Sequence, residues 1–222
     1  MFLGINLAID RYSIGIVNEG KLIAEINLES ERDFSENLIL EIDLLLKRKG
    51  LNVSHLKSIG IAHGPGSYTG LRLATIVAKT IAMMQQIPVY GFSTLDAIVQ
   101  GFAAFDGIYF TILKAMGDEV NAAVFAVNNR EIKKITPDFV VKIEVILKKI
   151  EQINELVYVI DFSKKEDLLN ALAAKNPKIR IVNDFYLKGS TIALMAEANY
   201  KEKLPGNYRD LIPHYSYAPC EK

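Results

Sequence analysis

Residues 59–75 read IGIAHGPGSYTGLRLAT, a short β-branched run that ends in glycines and opens directly into a second apolar segment. Strand, glycine cluster, helix is an order in which α/β proteins build anion sites. A helix N-terminus presents unpaired N–H groups and partial positive charge, and glycine lets a backbone come close to a phosphate. The residues here complete no nucleotide motif. Leu71 follows Gly70 where a Walker A loop needs Lys, and Gly64, Gly66 and Gly70 give G-x-G-x-x-x-G, one residue longer than the dinucleotide fingerprint. Ser67 lacks the glycines of a G-x-S-x-G nucleophile elbow, because Pro65 and Thr69 hold those places. The plainer reading is structural: the glycines permit a tight turn and Ser67 or Thr69 caps the helix, which leaves Arg72 without a role.

Outward from this stretch the chain alternates regularly. FLGINLAI (2–9), SIGIVNE (13–19) and KLIAEINLE (21–29) read as a three-stranded meander, and the period turns helical over 34–49, with Gly50 as a stop. LKSIGIAH is a fourth strand, the loop launches a helix to about Gln86, and IPVYGFS is a fifth strand that tolerates Pro88 at its start. Ser93 or Thr94 then caps a helix through LDAIVQGFAA. The same order follows again: strands GIYFTILKA, EVNAAVFAV and REIKKITPDFVV, helix IEVILKKIEQI, strand LVYVID, helix KEDLLNALAAK, strand IRIVN and helix GSTIALMAEANY. A recurring β-β-β-α-β-α-β order predicts a duplicated α/β unit, each with a mixed five-stranded sheet and flanking helices. The boundaries fall at 1–105, 106–204 and an aperiodic C-terminal tail over 205–222, marked by Pro205, Gly206, Pro213 and Pro219.

Composition narrows the function classes. Half of the 222 residues are hydrophobic, enough for a substantial core, and Lys plus Arg equals Asp plus Glu at 26 each, so no bulk cationic field exists to hold a nucleic acid backbone. Cys220 is the single cysteine, which excludes an internal disulfide, and His55, His63 and His214 form no H-x-x-x-H or H-E-x-x-H pair, so no metal is expected on this chain. With no apolar run of membrane-spanning length and no signal-peptide pattern in MFLGINLAID, a soluble cytoplasmic protein is expected. Asp10 ends the first strand, where a carboxylate could meet a metal-bound phosphate. Asp is also an ordinary turn residue there, and Arg11 beside it opposes a magnesium ion.

The two helices flanking the loop carry more apolar surface than one sheet face needs. Over 34–49, Phe34, Leu38, Ile42 and Leu45, widened by Ile39 and Leu46, suffice for sheet packing, which leaves Leu40 and Leu44 as a second stripe. After the loop, Leu73, Val77, Ile81 and Met84 have the spacing of a core seam, while Leu71, Ala74, Ala78 and Ala82 make a small-residue face open to a close helical neighbour. Leu40, Leu44, Leu71, Ala74, Ala78 and Ala82 are therefore expected to meet a partner chain.

HGPGSYTGLRLA, with LAID upstream and GFSTLDAI downstream, resembles the TsaB family of bacterial tRNA threonylcarbamoyladenosine biosynthesis proteins. The family's signature loop falls on Gly64, Pro65, Gly66, Ser67, Tyr68, Thr69, Gly70, Leu71 and Arg72. The likeness covers about the first 105 residues closely and the rest by element order. It implies an actin-like ATPase fold of two RNase H-like subdomains and a non-catalytic scaffold. Such a scaffold is homodimeric alone and heterodimeric with TsaD, the paralogue that holds the metal and transfers the threonylcarbamoyl group to adenosine 37 of tRNA. TsaE, a small P-loop ATPase, joins the assembly, so ATP and metal are expected in the partners and tRNA contact is indirect. In TsaD an H-x-x-x-H pair on the first helix binds the metal, whereas DFSENLIL has no histidine. This sequence departs from the family at Arg11, where a small hydroxyl residue is usual, and at Phe34, where His is usual. It departs again in KAMGDEVNA and over Pro213, His214, Tyr215, Ser216 and Tyr217, where Pro-x-Tyr-Leu-Arg is usual. The alternative is a nucleotide-binding or ATP-hydrolysing enzyme of the actin-like or sugar kinase fold, with Asp10 as a vestigial or working nucleotide-site residue.

Overall fold

A computed structural model describes residues 1–29, 34–183 and 185–216. The described chain divides into two compact units, Met1–Ala97 with Leu187–Tyr215, and Ile98–Tyr186 with Ser216. The expected split into 1–105 and 106–204 is thereby corrected: Leu187–Leu204 belongs with the N-terminal residues, and so does the tail as far as Tyr215. The reason lies in three glycines on the first sheet.

In the first unit, β1 (Phe2–Asn6), β2 (Arg11–Asn18) and β3 (Lys21–Glu29) form the antiparallel meander, and β4 (Ser58–Gly64) and β5 (Val89–Ser93) extend it in parallel, in the order β3-β2-β1-β4-β5. Strand alternation sorts the side chains. Leu3, Ile5, Ile14, Ile16, Ile59 and Ile61 share a core with residues of α1 (Phe34–Lys47) and α2 (Tyr68–Gln85). On the other face Gly4 lies in register with Gly15 on one side and Gly60 on the other. These three positions without side chains make a trough that α6 (Gly189–Lys201) occupies. A Cβ at Gly4 would stand 2.0 Å from the Gly189 carbonyl oxygen, and one at Gly15 2.1 Å from the Ser190 nitrogen.

Sheet side chains also cap α6, whose own preceding residue Lys188 makes no side-chain cap. The Gly189 N–H donates to Ser13 Oγ (2.6 Å) and the Ser190 N–H to Glu25 Oε1 (2.9 Å), while buried Asn6 donates to the Leu187 carbonyl (3.0 Å). Two of the orphan donors of this helix start are thus satisfied from strands distant in sequence.

Towards the other end of α6, Glu197 is buried, accepts from the Gly20 N–H at 2.9 Å and pairs with Lys201 at 2.8 Å. Burial pushes this carboxyl up, but the Lys201 ammonium and the backbone N–H groups of Gly20 and Glu19 outweigh it and hold it below the ordinary value of 4.5. A carboxylate depressed in the folded state contributes stability above its unfolded pKa and loses it as pH falls through the folded one. Glu197→Gln is therefore expected to lower stability at pH 7 and to flatten its decline below about pH 4.5, as read from urea midpoints across that range.

In the second unit, β6 (Gly107–Lys114), β7 (Glu119–Asn128) and β8 (Glu131–Lys134) repeat the meander. β10 (Val157–Phe162) and β11 (Ile179–Val182) repeat the parallel strands, in the order β11-β10-β6-β7-β8. The single strand expected over REIKKITPDFVV is two, β8 and β9 (Phe139–Lys142), which pair with opposite ends of β7 and make this sheet six-stranded. Between them Pro137 has no N–H to donate. The N–H groups of Ile135 and Thr136 both turn onto the Val124 carbonyl, and Thr136 Oγ1 accepts from the Val124 N–H. α4 (Ile143–Glu151) and α5 (Glu166–Lys175) cover one face through Ile143, Ile146, Ile150, Leu169 and Leu172. Phe102, at the end of α3 (Thr94–Phe102), joins Tyr109, Tyr158 and Phe185 in a cluster of aromatic rings.

Candidate functional site

The glycine loop is taken up by its own chain. A Cβ at Gly66 would lie 2.2 Å from the Ala8 carbonyl oxygen, one at Gly70 1.9 Å from that of Leu7, and one at Gly64 2.0 Å from that of His214. Gly64, at φ 131°, also has a backbone that L side chains rarely adopt. The Ser67 N–H donates to the Ala8 carbonyl (2.7 Å), and Ser67 Oγ accepts from the Gly70 N–H (3.3 Å), so Ser67 is the cap. The Ala8, Leu7 and His214 carbonyl oxygens pack so closely on the glycine Cα atoms that a side chain at any of the three would collide with backbone. Pro65 is buried, Thr69 is exposed, and Asp10 is exposed at the turn after β1 with Arg11 beside it. Among the described residues no three His, Cys, Asp or Glu side chains gather to hold a metal ion.

Arg72 finds one partner on its own helix and one in the tail. Its guanidinium lies 4.1 Å from the centroid of the Tyr68 ring, and its Nε donates to the Tyr215 hydroxyl at 3.0 Å. The two tyrosine rings are 4.9 Å apart. Two features that the sequence presented separately, the signature Arg and the Pro-x-Tyr segment, are thus one cluster.

The partner-facing assignment on α2 is corrected. Leu71, Ala74, Ala78 and Ala82 are fully buried, the last three within the core formed with β1, β2 and β4. Met84, expected in the core seam, is 70% exposed, and on α1 Ile39 is 63% exposed. A helix apolar all round has no polar face to show which side turns inward. Packing on the sheet decides: Ala74, Val77, Ala78 and Ala82 turn into the core, with Leu73 and Ile81 packed at its edge. Leu40 is 52% exposed and Leu44 half-buried, in line with a second stripe on α1. On α2 the outward row is Tyr68, Arg72, Ile76, Thr80 and Met83, all exposed. Its spacing of about four was present in the sequence, but two polar members disguised it. Phe34 has a side chain outside the described residues, as has Cys220.

A three-stranded antiparallel meander extended by two parallel strands, occurring twice, is the RNase H-like arrangement of the actin-like ATPase fold. A sequence model of the family described as TsaD, tRNA N6-adenosine threonylcarbamoyltransferase, matches residues 22–212, and the chain belongs to that family. Its relatives include two tRNA threonylcarbamoyladenosine biosynthesis proteins TsaB. The protein of Bacillus subtilis (strain 168) is 31% identical over 136 residues, which are 60% of this chain and 59% of the relative. That of Escherichia coli (strain K12) is 27% identical over 99 residues, 45% and 42% of the two chains. The chain therefore matches about three-fifths or less of the length of these curated relatives. Among solved structures, YeaZ from Pseudomonas aeruginosa superposes with a TM-score of 0.74 at 15% identity over 96% of this chain and 98% of that one, a likeness of fold. The ethanolamine utilization protein EutJ from Carboxydothermus hydrogenoformans shares the fold with a TM-score of 0.52 at 12% identity, over 87% of this chain and 89% of that one.

Proposed function

We propose that this chain is a non-catalytic subunit in the synthesis of tRNA N6-threonylcarbamoyladenosine at position 37, a scaffold that pairs with TsaD and activates it. The observation that carries the reading is the outer surface of α1 and α2, where Ile39, Leu40, Ile76, Met83 and Met84 are all exposed. A row of large apolar side chains on two neighbouring helices marks an interaction surface. The names of the TsaB relatives, tRNA threonylcarbamoyladenosine biosynthesis proteins, support that pathway. The helix that carries a metal-binding histidine pair in TsaD has no histidine here, which supports the scaffold role.

On this reading the chain pairs with itself when alone, TsaE joins the complex, tRNA is contacted indirectly, and metal and ATP reside in the partner subunits. The setting is the cytoplasm; among the described residues no helix is long and apolar enough to cross a membrane. Calorimetry of the isolated chain with Mg-ATP is expected to show no binding heat, because the glycine loop completes no nucleotide motif. In a reconstituted threonylcarbamoylation assay, omission of this chain is expected to reduce product at least tenfold. Tight Mg-ATP binding with turnover by the chain alone, or full product without it, would overturn the proposal.

A further inference from the structure

The segment after α6 is neither helix nor strand, yet it is pinned along the first unit from Leu204 to Tyr215. Tyr90 donates its hydroxyl to the Leu204 carbonyl at 3.2 Å, and Lys79 Nζ donates to the carbonyls of Arg209 and Leu211 at 3.4 and 3.1 Å. The His214 N–H donates to the His63 carbonyl at 2.7 Å. Leu211 is its one buried side chain. The segment forms one wall of a cleft of about 440 Å³, with Asn207, Asp210 and Leu211 facing His63, Tyr90 and Asn199.

A segment held by a few hydrogen bonds and by two apolar anchors, buried Leu211 and partly buried Tyr208, opens at lower free-energy cost than the sheet beneath it. We infer that residues 204–215 form a strap that opens and closes over the β4–β5 cleft, and that Arg72 is its latch. Arg72 can hold the end of the strap because it uses both parts of its chemistry at once. Its planar face stacks on Tyr68, while its edge donates to the Tyr215 hydroxyl. The Tyr68 and Tyr215 rings, 4.9 Å apart, close the third side of the cluster. Lys could supply the charge there but not the planar fork. Every group in the latch belongs to one unit, so it can be tested on the chain alone, although Tyr68 and Arg72 also begin the outward row of α2.

Hydrogen exchange followed by mass spectrometry on the full chain tests it, with Tyr215→Phe, Arg72→Met and Arg72→Lys. Tyr215→Phe removes one hydroxyl and keeps the ring. In Tyr215→Phe and Arg72→Met the His214 amide is expected to exchange about tenfold faster, as loss of a hydrogen bond to a charged group implies, with Arg72→Lys intermediate. Amides of β1 and β4 should keep their rates. Unchanged exchange at His214 in both variants would overturn the latch, and so would a rise that β4 amides share, because that would be loosening of the whole unit.

Discussion

Gly4→Val is expected to unfold the first unit at room temperature, or to leave it with a melting temperature lowered by ten degrees or more. A Cβ at this position would stand 2.0 Å from the Gly189 carbonyl oxygen and 2.4 Å from the Ala193 nitrogen, both backbone atoms that cannot rotate away. Gly15 meets α6 as closely, at 2.1 Å, and Gly60 stands 2.8 Å from the Ile192 carbonyl oxygen, so the helix cannot shift sideways into free space. Lifting α6 would release the donors held by Ser13 and Glu25 and uncover Ala193 and Ala196. Overpacking alone typically costs about 1–3 kcal/mol, and the lost caps add about 1 kcal/mol each. Against a net stability of about 5–15 kcal/mol that is a large fraction. Gly50→Asn is the control: it has a positive φ of 67° but nothing within 4 Å, so its loss should stay within about 1 kcal/mol. Thermal melts by circular dichroism separate the two, and equal effects would refute the account of the trough.

Ala78→Asp and Ile76→Asp, two residues apart on α2, are expected to act in opposite ways. Ala78 is 0% exposed in the core under β1 and β4, so a carboxylate there is buried without a partner and should cost on the order of 3 kcal/mol or more. Ile76 is 62% exposed, so the same charge should change monomer stability by about 0.5 kcal/mol or less. Under the proposed function it should instead weaken pairing at least tenfold, with itself and with TsaD, as a charge at the centre of an apolar interface does. Leu40→Asp on α1 should behave like Ile76→Asp. Urea unfolding and size-exclusion chromatography with TsaD measure the two properties separately. Normal pairing in both Ile76→Asp and Leu40→Asp would move the interface elsewhere.

Much of the fold was legible because its signals are local. Apolar alternation marks β1, β2 and β4, the 3.6-residue period marks α1 and α2, and the order β-β-β-α-β-α-β appears twice in a single reading. The signature loop was legible as a turn and a helix start, since the non-matching residues around its glycines exclude the known nucleotide motifs. Pro137 could have signalled the break between β8 and β9, but REIKKITPDFVV has one continuous run of β character on either side of it.

The sequence by itself determined the element order, the duplicated architecture, the helix start in the glycine loop at Ser67 or Thr69 and the excess of apolar surface on α1 and α2. Only the tertiary structure decided which face of α2 turns inward, because periodicity ranks polarity and most of this helix's circumference is apolar. The return of α6 to the first unit was decided the same way: Gly4, Gly15 and Gly60 are far apart in sequence and become a trough only when strand register aligns them. Arg72 had no role in the sequence for the same reason, since its partner Tyr215 lies 143 residues away.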